Sequence, residues 1–210
     1  MVAMDTSIPP AWSTGQPPNR IAARPEGFLG ALVGRLMGAS NRGQQIEVLD
    51  LLGPLGGAHA LEIGPGPGVL LGLLAARPDV EHVVGIEPSE TMRRLAIRRQ
   101  VAAIASGRLE VRPGTADATG LPDGAVDLVL TINTVAIWPD LDAGASEIAR
   151  VLRPGGRAAV SWHGGERGAR AGLGLPDAQL DMVEAALGRH VGPVARRRTR
   201  RCTVFLADRC

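Results

Sequence analysis

Lysine and tyrosine are absent from this chain of 210 residues, and phenylalanine and cysteine each occur only twice. Two cysteines, Cys202 and Cys210, cannot build a disulfide framework or a structural metal site, and such sparse usage fits a reducing cytoplasm. No metal is expected. Aromatic residues make up 2% of the chain, which leaves few platforms on which bases could stack, so a nucleic-acid partner is disfavoured. Every long apolar run is broken by Gly, Pro or charge well before the roughly 18 residues of a membrane span. The first twenty residues also lack a basic stretch followed by an apolar one, the mark of a secretory signal. All 23 basic residues are arginine, against 21 acidic ones and a net charge of +2. Wholesale arginine in an Ala- and Gly-rich chain looks like the imprint of a GC-rich bacterial genome, which lowers the weight of any single arginine. The run at 196–201 is therefore read first as a solvated hairpin, with a phosphate-binding patch as the alternative.

What is present is ordinary globular material, 45% hydrophobic and 21% charged, enough for one domain with a full core. Residues 1–24, rich in Pro, Ser, Thr and Gly, are expected to form a mobile or draped arm, and residues 25–210 a single domain. Apolar spacing predicts helices over 26–38 and 41–52, the second ended by Gly53-Pro54. From there strands alternate with helices. Strands are predicted at 58–63, 82–86, 108–112, 126–132 and 157–162, and helices at 68–76, 89–106, 140–152 and 177–187. Two last strands, near 194–198 and 203–207, are joined by so few residues that they must form an antiparallel hairpin. The pattern implies a doubly wound α/β domain with a mostly parallel sheet covered on both faces, and an N-terminal helical appendage.

In such a sheet the ligand sits beyond the C-terminal strand ends, so the loop after the first strand is the expected cofactor site. It contains Glu62, Gly64, Gly66 and Gly68, with prolines between the glycines to stiffen the cradle. The dinucleotide pattern G-x-G-x-x-G fails in both registers, since its third position falls on Val69 or on Leu71. Further along stand Glu87-Pro88-Ser89 after the second strand, Ala116-Asp117-Ala118 with Leu121-Pro122, Val126-Asp127-Leu128-Val129, and Leu152-Arg153-Pro154-Gly155-Gly156. The motif E-x-G-x-G-x-G with these landmarks in this order resembles class I S-adenosylmethionine-dependent methyltransferases, over about residues 49–162. The resemblance is strongest to the group acting on small molecules, including quinone-biosynthesis methyltransferases. It implies a Rossmann-like seven-stranded sheet and S-adenosyl-L-methionine as cofactor, with S-adenosyl-L-homocysteine as product.

The resemblance also implies roles for residues. Glu87 would bind the ribose hydroxyls; as an alternative it is an acid at a helix N-terminus. Asp117, beside Ala116, would accept from the adenine amino group, or else cap its own loop. Glu62 would hold the methionine amino group, or end its strand in a salt bridge. Met92 would pack on adenine or fill the core, and Asn133 would contact the methionine moiety and substrate or simply make a turn. Trp138 and Asp140 are expected to shape the wall beside the transferred methyl, and Phe28 to cover the substrate from the N-terminal helix. Trp162 is placed either on that wall or in the core. Methyl transfer from a sulfonium needs mainly positioning, and a base only when the nucleophile must lose a proton. His163, after the fifth strand, is the candidate base, whereas His59, His82 and His190 lie away from the expected reaction face. No Asn/Asp-Pro-Pro-aromatic run follows the fourth strand, which argues against amino methylation of DNA bases or protein glutamines. The lack of Pro-Cys argues against cytosine carbon-5 chemistry. The Gly-rich loop 164–174 is a candidate lid. A small-molecule acceptor is expected, with no membrane partner and a homodimer open. A non-methylating protein of this fold and a peptide or RNA methyltransferase docking through 196–201 are the rivals.

Overall fold

The computed structural model describes residues 11–14, 27–166 and 174–210, with side chains described at 11–13 and from Ser40 onward in those ranges. In chain order the elements are α1 (Ala11–Thr14), α2 (Gly27–Leu52), β1 (Ala58–Ile63), α3 (Val69–Ala75), β2 (Val80–Ile86), α4 (Glu90–Arg99) and α5 (Val101–Ala105). Then come β3 (Leu109–Arg112), β4 (Val126–Ile132), a 3-10 turn (Val135–Ile137), α6 (Leu141–Val151), β5 (Leu152–His163), α7 (Asp177–His190), β6 (Val194–Arg198) and β7 (Cys202–Asp208). The seven strands form one sheet in the order β3-β2-β1-β4-β5-β7-β6. The first five are mutually parallel, and β7 runs antiparallel to both β5 and β6.

The inner strands are largely buried on both faces, as a parallel sheet under helices requires, while the edge strands β3 and β6 are partly exposed. On one face Leu61, Val129, Val160 and Phe205 pack with Ile148 of α6 and Val183 of α7. On the other Ala60, Leu130 and Val204 meet Val48 of α2, Leu70 and Leu74 of α3 and Ala96 of α4. Strand order reverses between β1 and β4, which opens a crevice at their C-terminal ends.

Three elements differ from expectation. The two N-terminal helices are one, α2. No proline interrupts residues 38–42, and the roughly 1 kcal/mol that a glycine costs a helix is too little to stop a long one. The single helix predicted over 89–106 is broken at Gln100, whose side chain turns away to the glycine loop. β5 starts at Leu152, because the Arg-Pro-Gly-Gly turn is a bulge inside the strand. Gly155 takes φ +77°, and the register slips between Val126 and Leu128 of the neighbouring strand. Within the arm, the described residues form α1, draped on the segment after β4, where the Trp12 indole N–H donates to the Val135 carbonyl at 2.9 Å. The rest of the arm, and residues 167–173 of the candidate lid, lie outside the described residues.

Candidate active site at the carboxyl ends of the strands

The loop between β1 and α3 turns through three left-handed glycines, Gly64 (φ +71°), Gly66 (φ +53°) and Gly68 (φ +75°). Each is glycine for its own reason. A Cβ on Gly64 would lie 2.6 Å from Thr134 Cγ2, and one on Gly68 would lie 2.8 Å from Ala96 Cβ. At Gly66 no atom of the described residues beyond its chain neighbours lies within 4 Å of that position, so the middle of the loop faces open space. The loop is held from outside. Arg99 donates to the Pro67 carbonyl at 3.0 Å and Gln100 to the Gly68 carbonyl at 2.7 Å, both from the end of α4.

Glu62, on β1, and Glu87, just past the end of the adjacent strand β2, are both buried, at 2% and 5% exposure. Glu87 is satisfied by backbone. Its Oε2 accepts from Gly66 N–H and its Oε1 from Ser89 N–H, each at 2.9 Å, so it ties the glycine loop to the start of α4. Burial still raises its pKa, against those two bonds and the charge of Arg93. Glu62 is different, because its Oε2 has no hydrogen-bond partner among the described residues. Burial first, then repulsion from Glu87, pushes its pKa up to about 8, only partly offset by the Leu71 amide at the start of α3. A buried carboxylate with a free oxygen beside an open glycine turn is a ready seat for a cation that donates hydrogen bonds.

The loop carrying Asp117 closes on itself. Thr115 and Ala118 exchange backbone bonds at 3.1 and 3.3 Å, placing Ala116 and Asp117 at the corner. Ala116 is buried among core side chains while Asp117 is exposed. A Cβ on Gly114 would meet Ile86 Cγ2 at 2.5 Å, so this loop is docked on the end of β2, next to Glu87. Met92, in the first turn of α4, is buried, and its N–H is capped by Ser89 Oγ.

After β4, Asn133 adopts φ +60°, the only positive φ outside glycine among the described residues. Its amide is fully engaged with Gln44 of α2. Gln44 Nε2 donates to Asn133 Oδ1 at 2.9 Å, and Asn133 Nδ2 donates back to Gln44 Oε1 at 2.8 Å. Trp138 is not a wall of the crevice. It is 3% exposed, its indole N–H donates to Thr134 Oγ1, and its ring packs against Gly144 of α6, where a Cβ would lie 2.6 Å away. Asp140 is likewise spent on structure, as the N-cap of α6 accepting from the Ala143 N–H at 3.0 Å. Phe28 lies in α2, and its side chain falls outside the described residues.

His163 ends β5, half-buried, with its ring edge-on to Trp162 at 5.5 Å between centroids. Trp162 itself is core. His59 and His82 sit together toward the strand starts, and His190 pairs with Asp142 at the end of α7. Of the arginine run, Arg196 is bound to Asp181 and Glu184, Arg198 to Asp177 and Arg201 to Glu47. Among the described residues no cluster of His, Cys, Asp and Glu suits a metal, and no helix is long and apolar enough to cross a membrane.

Gln44 and Gln100 are the site-building residues that sequence reasoning missed. Gln44 carried a signal, since it shares the helical spacing 44-48-52 with two apolar residues, Val48 and Leu52, and so had to be buried.

Comparison with known proteins agrees with this arrangement. The family model described as a methyltransferase domain matches residues 61–160. The uncharacterized methyltransferase YdaC of Bacillus subtilis is 32% identical over 130 residues, 62% of this chain and 70% of the relative. The nocamycin O-methyltransferase of Saccharothrix syringae is 38% identical over 112 residues, but these are 53% of this chain and only 40% of that enzyme. A solved SAM-dependent methyltransferase from Aquifex aeolicus shares the fold at TM-score 0.69 and 19% identity, over 86% of this chain and 98% of its own. With its strand order, its glycine turn and these relatives, the chain belongs to the class I S-adenosylmethionine-dependent methyltransferases.

Proposed function

We propose that this protein transfers the methyl group of S-adenosyl-L-methionine to a small-molecule metabolite, with an oxygen acceptor favoured over nitrogen or carbon. The observation that carries the reading is the pair of buried carboxylates at the glycine turn, of which Glu62 keeps one oxygen without a partner. The residues fit the cofactor. Glu62 would take its ammonium group, Glu87 retains lone pairs for two ribose hydroxyls, and Asp117 stands exposed at its corner for the adenine amine. Gly66 leaves the open space that close approach to the backbone needs. Met92 would border the adenine from α4, and Ala116 would support the Asp117 corner.

The bound cofactor supplies an activated methyl on a sulfonium, so the chain has only to bind, orient and exclude water. For a hydroxyl acceptor, His163 is the candidate base, being the histidine at the carboxyl end of the sheet. The nocamycin O-methyltransferase relative supports the oxygen preference, and that relative together with the arginine-only, Ala- and Gly-rich composition supports a role in bacterial specialised metabolism. The ion-paired arginines of the β6–β7 hairpin support a small molecule over a nucleic acid, because most of that charge is already neutralised.

The test is calorimetry with S-adenosyl-L-homocysteine followed by transfer of labelled methyl into hydroxylated metabolites. One-site binding that is lost in Glu87→Ala and Asp117→Ala is expected. No binding at millimolar ligand would sink the cofactor assignment, and salt-sensitive binding of RNA with no metabolite turnover would move the substrate to nucleic acid.

A further inference from the structure

The segment after β4 is gripped by the N-terminal part of the chain at two points. From α1, Trp12 donates to the Val135 carbonyl. From α2, Gln44 makes the reciprocal amide pair with Asn133, and Gln44 is itself 3% exposed. Held between them is Thr134, whose hydroxyl bonds both Thr131 and the Trp138 indole, and whose Cγ2 fills the space beside Gly64. A displacement at Asn133 therefore reaches the cofactor cradle directly, through Thr134 and the first glycine of the turn.

Two features show that the pair fixes a conformation instead of merely filling space. Asn133 holds a left-handed backbone, which asparagine tolerates better than other side chains but which is still uncommon outside glycine, and here its amide is paired across to α2. A face-to-face primary amide pair also satisfies a donor and an acceptor on each partner in one planar geometry, so it specifies the distance and angle between α2 and the end of β4. The geometry points to Gln44 as a positioning residue. It sets Asn133 and Thr134 against Gly64, so that the glycine turn keeps the shape that binds the cofactor. This rests on the cofactor reading above.

A second anchor on the same helix provides the control. Glu47, about one turn from Gln44, accepts from both the side chain and the backbone N–H of Arg201 and so fastens α2 to the β6–β7 turn. The experiment compares wild type, Gln44→Ala, Glu47→Ala, Asn133→Ala and the Gln44→Ala/Asn133→Ala double variant in the full chain. Its readouts are S-adenosyl-L-homocysteine affinity, melting temperature and amide hydrogen exchange across 133–138. Gln44→Ala is expected to raise Kd about tenfold or more and to speed exchange in that segment to a similar extent. Glu47→Ala should lower the melting temperature comparably yet leave Kd within about twofold. The double variant should bind no worse than Asn133→Ala alone, because the two residues act as one unit. Wild-type affinity in Gln44→Ala, or equal weakening in Gln44→Ala and Glu47→Ala, would overturn the assignment. If wild type fails to bind the ligand, the cofactor reading falls, and unchanged exchange in Gln44→Ala then removes the positioning role as well.

Discussion

Glu62 and Glu147 are both buried, at 2% and 8% exposure, and their surroundings treat them in opposite ways. Glu147, on α6, accepts from Thr119 N–H at 2.8 Å and from its hydroxyl at 2.5 Å, and takes a two-pronged contact from Arg150. Its burial would raise the pKa, but the combined bonds to Arg150 and Thr119 hold it well below the ordinary range. Glu62 has one amide, a repelling neighbour and an empty oxygen, and its pKa rises to about 8. Glu147 is charged and completes the fold, whereas Glu62 is incomplete until something cationic arrives. An unsatisfied buried carboxylate costs stability, and its persistence at the glycine turn marks a place kept for a ligand.

Substitutions can break this contrast. The largest effect is expected for Glu62→Gln, which should weaken S-adenosyl-L-homocysteine binding by about a hundredfold, roughly 3 kcal/mol. The same change should stabilise the free protein. Between the unfolded carboxylate pKa near 4.5 and about 8, folded Glu62 keeps a proton that the unfolded chain has lost, so stability falls as pH rises through that window. Glutamine has no proton to lose. Denaturant melts at pH 5 and pH 8.5 should show a flatter pH dependence in the variant, by on the order of 3–5 kcal/mol at most.

Glu147→Ala should do the reverse. It strips Thr119 and Arg150 of their partner and should cost about 2–4 kcal/mol in chemical denaturation at pH 7. Native-state ligand binding should change by no more than about threefold. The Glu147 contribution is present above the unfolded pKa and is lost as pH falls through its depressed folded value.

The glycines sharpen the same distinction on a smaller scale. Gly68→Ala drives a methyl into α4 and should cost about 2 kcal/mol of stability. Gly66→Ala meets no atom of the described residues, so it should cost about 1 kcal/mol from its φ alone while weakening ligand binding by an order of magnitude. Smallest is Trp138→Phe, which loses one bond to Thr134 and should cost about 1 kcal/mol in thermal melts, leaving acceptor KM unchanged.

The sheet was legible because its strands are continuous apolar runs separated by helix-period segments, a pattern set by local chemistry alone. The glycine turn and Glu87 were legible for a similar reason, since a sharp turn and an acid at a helix start leave residue-type signatures at fixed spacing. Trp138 and Asp140 misled because position after a strand says nothing about which way a side chain faces. Here the short 3-10 turn rotates Trp138 inward onto Gly144, and Asp140 caps α6. The Gln44–Asn133 pair joins residues 89 positions apart, and nothing local in either segment names the other.

The open oxygen of Glu62 is the seat for the cationic end of the cofactor. This is tested most directly by titrating S-adenosyl-L-homocysteine calorimetrically at pH 7 in buffers of different ionisation enthalpy. Free Glu62 is mostly protonated at that pH, and an ammonium beside it favours the carboxylate, so binding should release close to one proton per site. Glu62→Gln should release none. Binding with no proton release in wild type, or with the same release in both proteins, would show that Glu62 does not receive the ammonium group.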